Sequence, residues 1–199
     1  MPFSDIRVHS LSGPELHPYL HSIAKLRIEI FREFPYLDEG SLGNMTSYMQ
    51  KFPPARDSIG VLVFDKTTLI GASTGLPLSL ERPEVQASFL EKNLALADYF
   101  FFSESVLLKP YRQRGIGHHF FDLRENHVQN LKKFKHICFC FPNRPENHPQ
   151  KPSEYMPLND FWRKRGFVQH PEIQCTLLWQ DIGEKEPSEK KMSFWIKDI

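Results

Sequence analysis

The sequence is poor in cysteine, and that shortage removes a disulfide scaffold from consideration. Its three cysteines, Cys138, Cys140 and Cys175, are odd in number and lie in apolar runs, a setting for packed thiols in a reducing compartment. Neither charge is in surplus: 25 basic residues meet 24 acidic ones for a net charge of +1, so nothing global draws the chain to nucleic acid or to an anionic membrane. Any anion site must therefore be local. No apolar run approaches the roughly 20 residues that cross a bilayer. The opening residues, Met1 to Asp5, lack the basic and apolar regions of a signal peptide. A cytoplasmic location with no membrane or nucleic-acid partner is the resulting expectation. No internal repeat is visible.

What the sequence does carry is a composition near the globular average, 40% hydrophobic and 25% charged, which argues against a disordered or fibrous chain. At 199 residues it has room for one sizeable core, so residues 1–199 read as a single domain. Residues 6–9 alternate like a short strand and stop at a Ser12-Gly13-Pro14 turn. Leu16, Leu20, Ile23, Ile30 and Phe34 recur near helical spacing over 15–33, with Lys25, Arg27, Glu29 and Arg32 between them, and Pro35 ends that helix. An aromatic loop at 34–40 precedes a weaker helix at 45–51. Apolar runs at 59–64 and 68–76 around Asp65-Lys66-Thr67 have the profile of a hairpin. A helix at 83–93 then leads to a third strand at 99–108. Beyond a basic, glycine-bearing turn, helical spacing runs over 116–133, and the almost wholly apolar 136–141 reads as a central strand buried on both faces. The five prolines of 142–157 mark a long loop. A short helix at 158–165 ends at Gly166, and strands at 176–180 and 192–196 close the chain.

Chemistry is concentrated where the third strand meets the long helix, in Lys109-Pro110-Tyr111-Arg112-Gln113-Arg114-Gly115-Ile116-Gly117. Glycine lets backbone approach a ligand, the first-turn amides of a helix lack intrahelical partners, and the helix dipole favours negative charge there. Lys109, Arg112 and Arg114 add cations to the same turn, so a pyrophosphate fits it. A dinucleotide fingerprint is excluded because Phe120 stands where a third small residue is needed and Phe141 where an acid is needed. A nucleotide-hydrolysing phosphate loop is excluded because no Gly-Lys-Ser or Gly-Lys-Thr string follows. A plain strand-to-helix turn with solvated cations is the structural alternative.

Arg112-x-x-Gly115-x-Gly117 resembles the Arg/Gln-x-x-Gly-x-Gly/Ala motif of the GNAT acetyltransferase superfamily. Phe161-Trp162-Arg163-Lys164-Arg165-Gly166-Phe167 is similar to that family's second signature, and the element order over 6–180 looks like its plan. The resemblance implies an α/β fold in three layers, a twisted, mixed but mostly antiparallel sheet flanked by helices. It implies an N-acetyltransferase that uses acetyl-coenzyme A as acyl donor, without metal, on a small-molecule or peptide amine by direct attack in a ternary complex. By analogy, Val106, Leu107 and Leu108 face the pantetheine arm and the carbonyl oxygen. Arg112, Gln113, Arg114, Gly115, Ile116 and Gly117 hold the pyrophosphate, and Trp162 lies against the cofactor.

An alkyl ammonium has a pKa of about 10, so attack near neutral pH needs a proton acceptor. The resemblance implies Glu104 as the candidate base, since several family members place a catalytic carboxylate two residues before the position of Val106; a surface ion pair or strand-edge solvation is the alternative reading. Strand alternation puts Ser103 and Ser105 on the face opposite Glu104. Family members commonly place an acidic tyrosine where this chain has Trp162, and an indole N–H donates a hydrogen bond but delivers no proton. Tyr155, seven residues earlier, is the candidate acid; departure of coenzyme A as a thiolate protonated by water, with Tyr155 a packed ring whose hydroxyl is satisfied, is the alternative. Phe34 and Tyr36, with Asp38 and Glu39, stand in the region that shapes the acceptor pocket of relatives, where ring faces and carboxylates suit a cationic amine; a packed aromatic lid is the alternative. The missing tyrosine also motivates a second hypothesis, a coenzyme-A-binding regulatory module that has lost its chemistry.

His136, Cys138 and Cys140 alternate on one strand face, yet a spacing of about 6.6 Å along the strand keeps them from converging on the roughly 2.0–2.3 Å bonds of zinc. His127 reads as a core histidine with a satisfied ring. His118 and His119 begin the long helix, beside the proposed phosphates. The Lys109–Arg114 and 132–135 basic clusters leave few cations for a nucleic-acid stripe. The sequence leaves room for a homodimer, including one that pairs through its final strand.

Overall fold

The computed structural model describes residues 6–199. β1 (Ile6–Ser12), β2 (Ile59–Asp65), β3 (Thr68–Pro77) and β4 (Tyr99–Leu107) pair antiparallel in succession. β5 (His136–Pro142) joins β4 in parallel, and β7 (Ser188–Asp198) lies antiparallel between β5 and β6 (Val168–Trp179). The resulting seven-stranded sheet has β1 and β6 at its edges. The final strand is therefore interior, with both hydrogen-bonding edges in use, and a second chain has no access to it. Pairing of sheets between two chains needs β1 or β6.

Helices cover both faces. α1 (Leu20–Phe31), α2 (Leu42–Met49) and α3 (Pro83–Leu90) pack Leu20, Ile23, Met45, Met49 and Phe89 against Leu62, Leu76, Phe101 and Phe194. On the opposite face α4 (Ile116–Leu131) and α5 (Asn159–Lys164) pack Phe120, Phe121, Val128 and Trp162 against Val61, Phe100, Ile137 and Trp195. The helix expected over 15–33 is shorter than its periodicity. Pro18 removes a donor, and Gly13–Tyr19 forms a 3-10 segment before α1 begins. β6 is longer than expected because its ladder skips Pro171. The register jumps from His170↔Phe194 to Gln174↔Ser193, which leaves residues 171–173 outside the pairing.

A second irregularity shapes the functional face. Ser105 pairs with Ser73 and Phe102 with Gly75, so Ser103 and Glu104 together oppose Thr74. This bulge inverts side-chain parity along β4. Tyr99, Phe101 and Val106 reach the α1–α3 core, while Phe100, Phe102 and Leu107 reach the α4 core. The expectation from simple alternation is corrected here. Ser103 shares the side of Glu104, and only Ser105 points the other way. The surplus Glu104 amide donates to Thr74 Oγ1 at 3.2 Å. From the other face, buried Arg124 donates to the Thr74 carbonyl at 3.1 Å, the Glu104 carbonyl at 3.3 Å and Ser105 Oγ at 2.9 Å.

Candidate active site

β4 and β5 pair only from Tyr99↔His136 to Phe101↔Cys138, although they continue to Leu107 and Pro142. Beyond Phe101 they splay, and the gap leads along β4 to the start of α4. The Leu108 amide donates to the Ile70 carbonyl on β3 at 2.9 Å, so alternation turns the Leu107 peptide groups toward the gap and those of Val106 and Leu108 toward β3. The Leu107 carbonyl already accepts from Arg112 Nε at 2.9 Å.

The turn ahead of α4 has an open backbone. Gln113 and Gly115 adopt positive φ, 60° and 84°, and a Cβ added at Gly115 or Gly117 would meet nothing within 4 Å. Among the described residues, the amides of Gln113, Gly115, Ile116 and Gly117 have no acceptor. Arg112 behaves differently from the sequence expectation. Its amide donates to the Lys109 carbonyl at 3.2 Å, and its guanidinium grips Glu33 through bonds of 2.6 and 2.8 Å. Arg112 thus ties the turn to the end of α1, while Arg114 lies 5.7 Å from the Tyr111 ring centroid.

A cavity of about 390 Å³ lies between α1, α2 and the sheet and reaches the splay, since Ser103 and Glu104 of β4 and Cys140 of β5 line it. Its walls include Phe31, Tyr36, Tyr48, Phe101 and Trp179. Glu104 is 4% exposed and points into this space. Its Oε2 accepts from Arg27 Nε at 3.1 Å, and Arg27 Nη1 donates to Asp38 at 3.1 Å. Burial pulls the Arg27 pKa down, but Glu104 and Asp38 outweigh it and leave the net shift upward, so the cation persists. Glu104 Oε1 has no donor among the described residues and is not sealed from the cavity.

Deeper in the wall, Glu81 accepts from Lys51 Nζ at 2.6 Å, from the Arg82 amide at 2.9 Å and from the Tyr48 hydroxyl at 3.3 Å, with the Ser103 hydroxyl at 3.4 Å. Burial pushes the Tyr48 phenol upward with help from Glu81, and burial does the same to Tyr36, so both rings keep their protons. Tyr36 stacks on Phe31 with centroids 3.8 Å apart.

Over the cavity, the loop after α1 is zipped to the β6–β7 connection. The Glu39 amide donates to the Gln180 carbonyl at 2.8 Å and the Ile182 amide to the Leu37 carbonyl at 2.7 Å. Arg144, from the long proline-rich loop, grips Asp181 through bonds of 2.6 and 2.9 Å and donates to the carbonyls of Pro35 and Tyr36 at 2.7 Å each.

Several expected residues thus meet here and others do not. Glu104, Tyr36, Asp38 and Glu39 line the cavity. Phe34 lies apart from it, edge-on to Tyr155 at 4.7 Å and near His148 at 5.5 Å. Tyr155 is half-buried there and does not line the cavity; burial raises its pKa. Trp162 is buried among Phe139, Phe141 and Trp195 and serves as a wall of the α4-side core. Cys138 and Cys140 pack into the sheet, His136 stacks on Tyr99, and His127 Nε2 lies 2.8 Å from the Asp57 carbonyl. Sequence reasoning missed Arg27, Glu81, Arg82 and Arg124. Two of them carried a signal: Arg27 continues the buried stripe Leu20, Ile23, Ala24, Phe31, and Arg124 continues Phe120, Phe121, Val128. An arginine in an apolar register marks a buried cation.

No protein-family model matches the chain, and no curated protein matches it. Solved structures do. NAA60 of Arabidopsis thaliana, crystallised with a bisubstrate analogue, superposes with a TM-score of 0.62 over 97% of this chain and 98% of its own, at 11% identity. Ribosomal-protein-alanine N-acetyltransferase from Brucella melitensis gives 0.61 over 97% and 99%, at 12% identity. The PaiA N-acetyltransferase of Thermoplasma acidophilum, solved with coenzyme A, gives 0.52 over 98% and 99%, at 13% identity.

Proposed function

We propose that this chain, which has the fold of the GNAT acetyltransferases, transfers an acetyl group from acetyl-coenzyme A to a primary amine by direct attack within one ternary complex. The observation that carries the reading is the Glu104 carboxylate, which turns one uncommitted oxygen into a cavity at the splay of β4 and β5. The turn before α4 fits the other end of the donor. Its outward amides and the open space above Gly115 and Gly117 suit a diphosphate. Arg114 and Lys109 supply cations, and Arg112 holds the turn through Glu33. The acetyl-coenzyme A complex of the reading is further supported by a relative of the same fold solved with coenzyme A.

In this reading the Leu107 amide faces the donor in the gap, and Glu104 Oε1 takes the proton of the incoming amine, directly or through one water. The amine nitrogen then forms its bond to the thioester carbonyl carbon. The adduct nitrogen loses its second proton to solvent as the carbon–sulfur bond breaks, so the neutral amide leaves with the acetyl group, coenzyme A leaves as a thiolate protonated by solvent, and Glu104 returns its proton to solvent. Arg27 fixes Glu104 through Oε2 and keeps Oε1 directed at the cavity. Trp162 and Tyr155 receive no chemical step, since neither lines the cavity. The test is thiol release over an amine panel. Glu104→Gln should lower kcat by roughly 10²–10⁴-fold while acetyl-coenzyme A still raises the melting temperature. Thermal stabilisation without thiol release from any amine would instead favour a binding module without chemistry.

A further inference from the structure

Four carboxylates and four cations surround the cavity: Asp38, Glu39, Glu81 and Glu104 against Arg27, Arg32, Lys51 and Arg82, with Arg32 answering Glu39 at the mouth. Most are committed to one another. Arg27 serves Asp38 and Glu104, and the Lys51 ammonium serves Glu81. Asp38 also accepts from the Gly40 amide at 3.0 Å. Two groups retain unused capacity. One is Glu104 Oε1. The other is the Arg82 guanidinium, which lies over the Tyr48 ring at 4.3 Å and has no hydrogen bond or ion pair among the described residues. The Arg82 amide touches Glu81, and Glu81 touches Ser103, the neighbour of Glu104, so the two open groups belong to one wall.

A cavity whose fixed charges cancel, yet which offers one open anionic oxygen and one open guanidinium, is complementary to a zwitterion. A simple alkyl ammonium would leave Arg82 unanswered and the cavity positive. We infer that the acceptor is a small amine that also carries an anionic group, a carboxylate in the simplest case, with the amine at Glu104 and the anion on the planar fork of Arg82. Tyr36, Phe101 and Trp179 line the same cavity and offer ring faces to the body of such a molecule. The inference rests on the acetyl-transfer reading and adds the substrate class to it.

Matched pairs test it with the full chain: phenylalanine against phenethylamine, and 4-aminobutanoate against butylamine, each with acetyl-coenzyme A and thiol release as readout. The carboxylate-bearing member should have the higher kcat/KM by roughly 10–100-fold. Arg82→Gln should collapse that ratio through a raised KM for the carboxylate-bearing member, and Arg82→Lys should restore part of it. Equal or better turnover of the decarboxylated amines, or an Arg82→Gln effect shared by both members, overturns the inference while leaving acetyl transfer intact. Should no amine turn over, calorimetry on coenzyme-A-saturated protein decides the matter. Preferential binding of the zwitterion, lost in Arg82→Gln, upholds the anion anchor although the transfer reading fails; no preference overturns it.

Discussion

Two alanine substitutions, two residues apart, should move stability in opposite directions and binding in the same one. Gly117 sits in the first turn of α4 with helical backbone, and its added Cβ meets nothing within 4 Å. A Cβ on a helix tilts toward the N-terminus, which here is the mouth of the amide turn. Gly117→Ala therefore costs the fold nothing by contact and gains up to about 1 kcal/mol of helix propensity. For a chain of this size that raises Tm by up to about 4 °C. The same methyl stands where a diphosphate would meet the outward amides. Losing one charge-assisted hydrogen bond of about 1.5–3 kcal/mol weakens coenzyme A roughly 10–100-fold. Gly115 has the same open space but a φ of 84°. An alanine there pays about 1–2 kcal/mol for the left-handed conformation, so Tm falls by about 2–8 °C. Differential scanning fluorimetry and calorimetric titration with coenzyme A read both effects. A stable Gly117→Ala protein whose coenzyme A affinity stays within twofold of wild type refutes the cradle.

Other perturbations reach the roof and the acid limb. Arg144→Ala leaves buried Asp181 with only Lys190 Nζ at 3.4 Å and orphans the Pro35 carbonyl, while the Tyr36 carbonyl keeps the Trp179 indole, a loss of about 1.5–3 kcal/mol that should lower Tm by roughly 3–12 °C and be visible by calorimetry. An unchanged Tm would mean that the loops hold without it. Glu184 accepts the Asp181 amide and pairs with Lys190, which lowers its pKa from 4.5 to about 2. A depressed carboxylate stabilises the fold above its unfolded pKa and loses that effect as pH falls through the folded one, so part of the Tm decline between about pH 5 and 2 should vanish in Glu184→Gln. A pH profile identical to wild type would contradict this.

Much of the fold was legible because its elements are periodic and punctuated. The hairpin of β2 and β3, the apolar β5 and the glycine-bearing turn ahead of α4 all stand where periodicity and glycine placed them. Two prolines act against the local pattern. Pro18 was compatible with the apolar spacing yet shortened the helix, and Pro171 hid the first half of β6 because a bulge can carry a proline outside the ladder. The site was legible only in part. Glu104 stands out only through the resemblance of its strand to that of the family, and the bulge that sets its face depends on pairing with Thr74, a residue 30 positions away. Glu81 and Arg82 carry no local pattern; their meaning arises from Tyr48 and Lys51, brought over by another helix.

The kink in β4 has a lock that tolerates little drift. Arg124, walled by the rings of Phe102 and Phe121 and facing no carboxylate within ion-pair reach among the described residues, donates to the Phe120 carbonyl of its own helix, to Ser105 Oγ and to the Thr74 and Glu104 carbonyls that the misaligned ladder turns toward it. Were the strand to slip by one residue into regular pairing, a cation in an apolar layer would lose most of its partners, and Glu104 would swing out of the cavity. Thr74, Ser105 and Arg124 therefore form one mechanically coupled unit: a change at any of them disturbs the bonds of the others and with them the aim of the carboxylate.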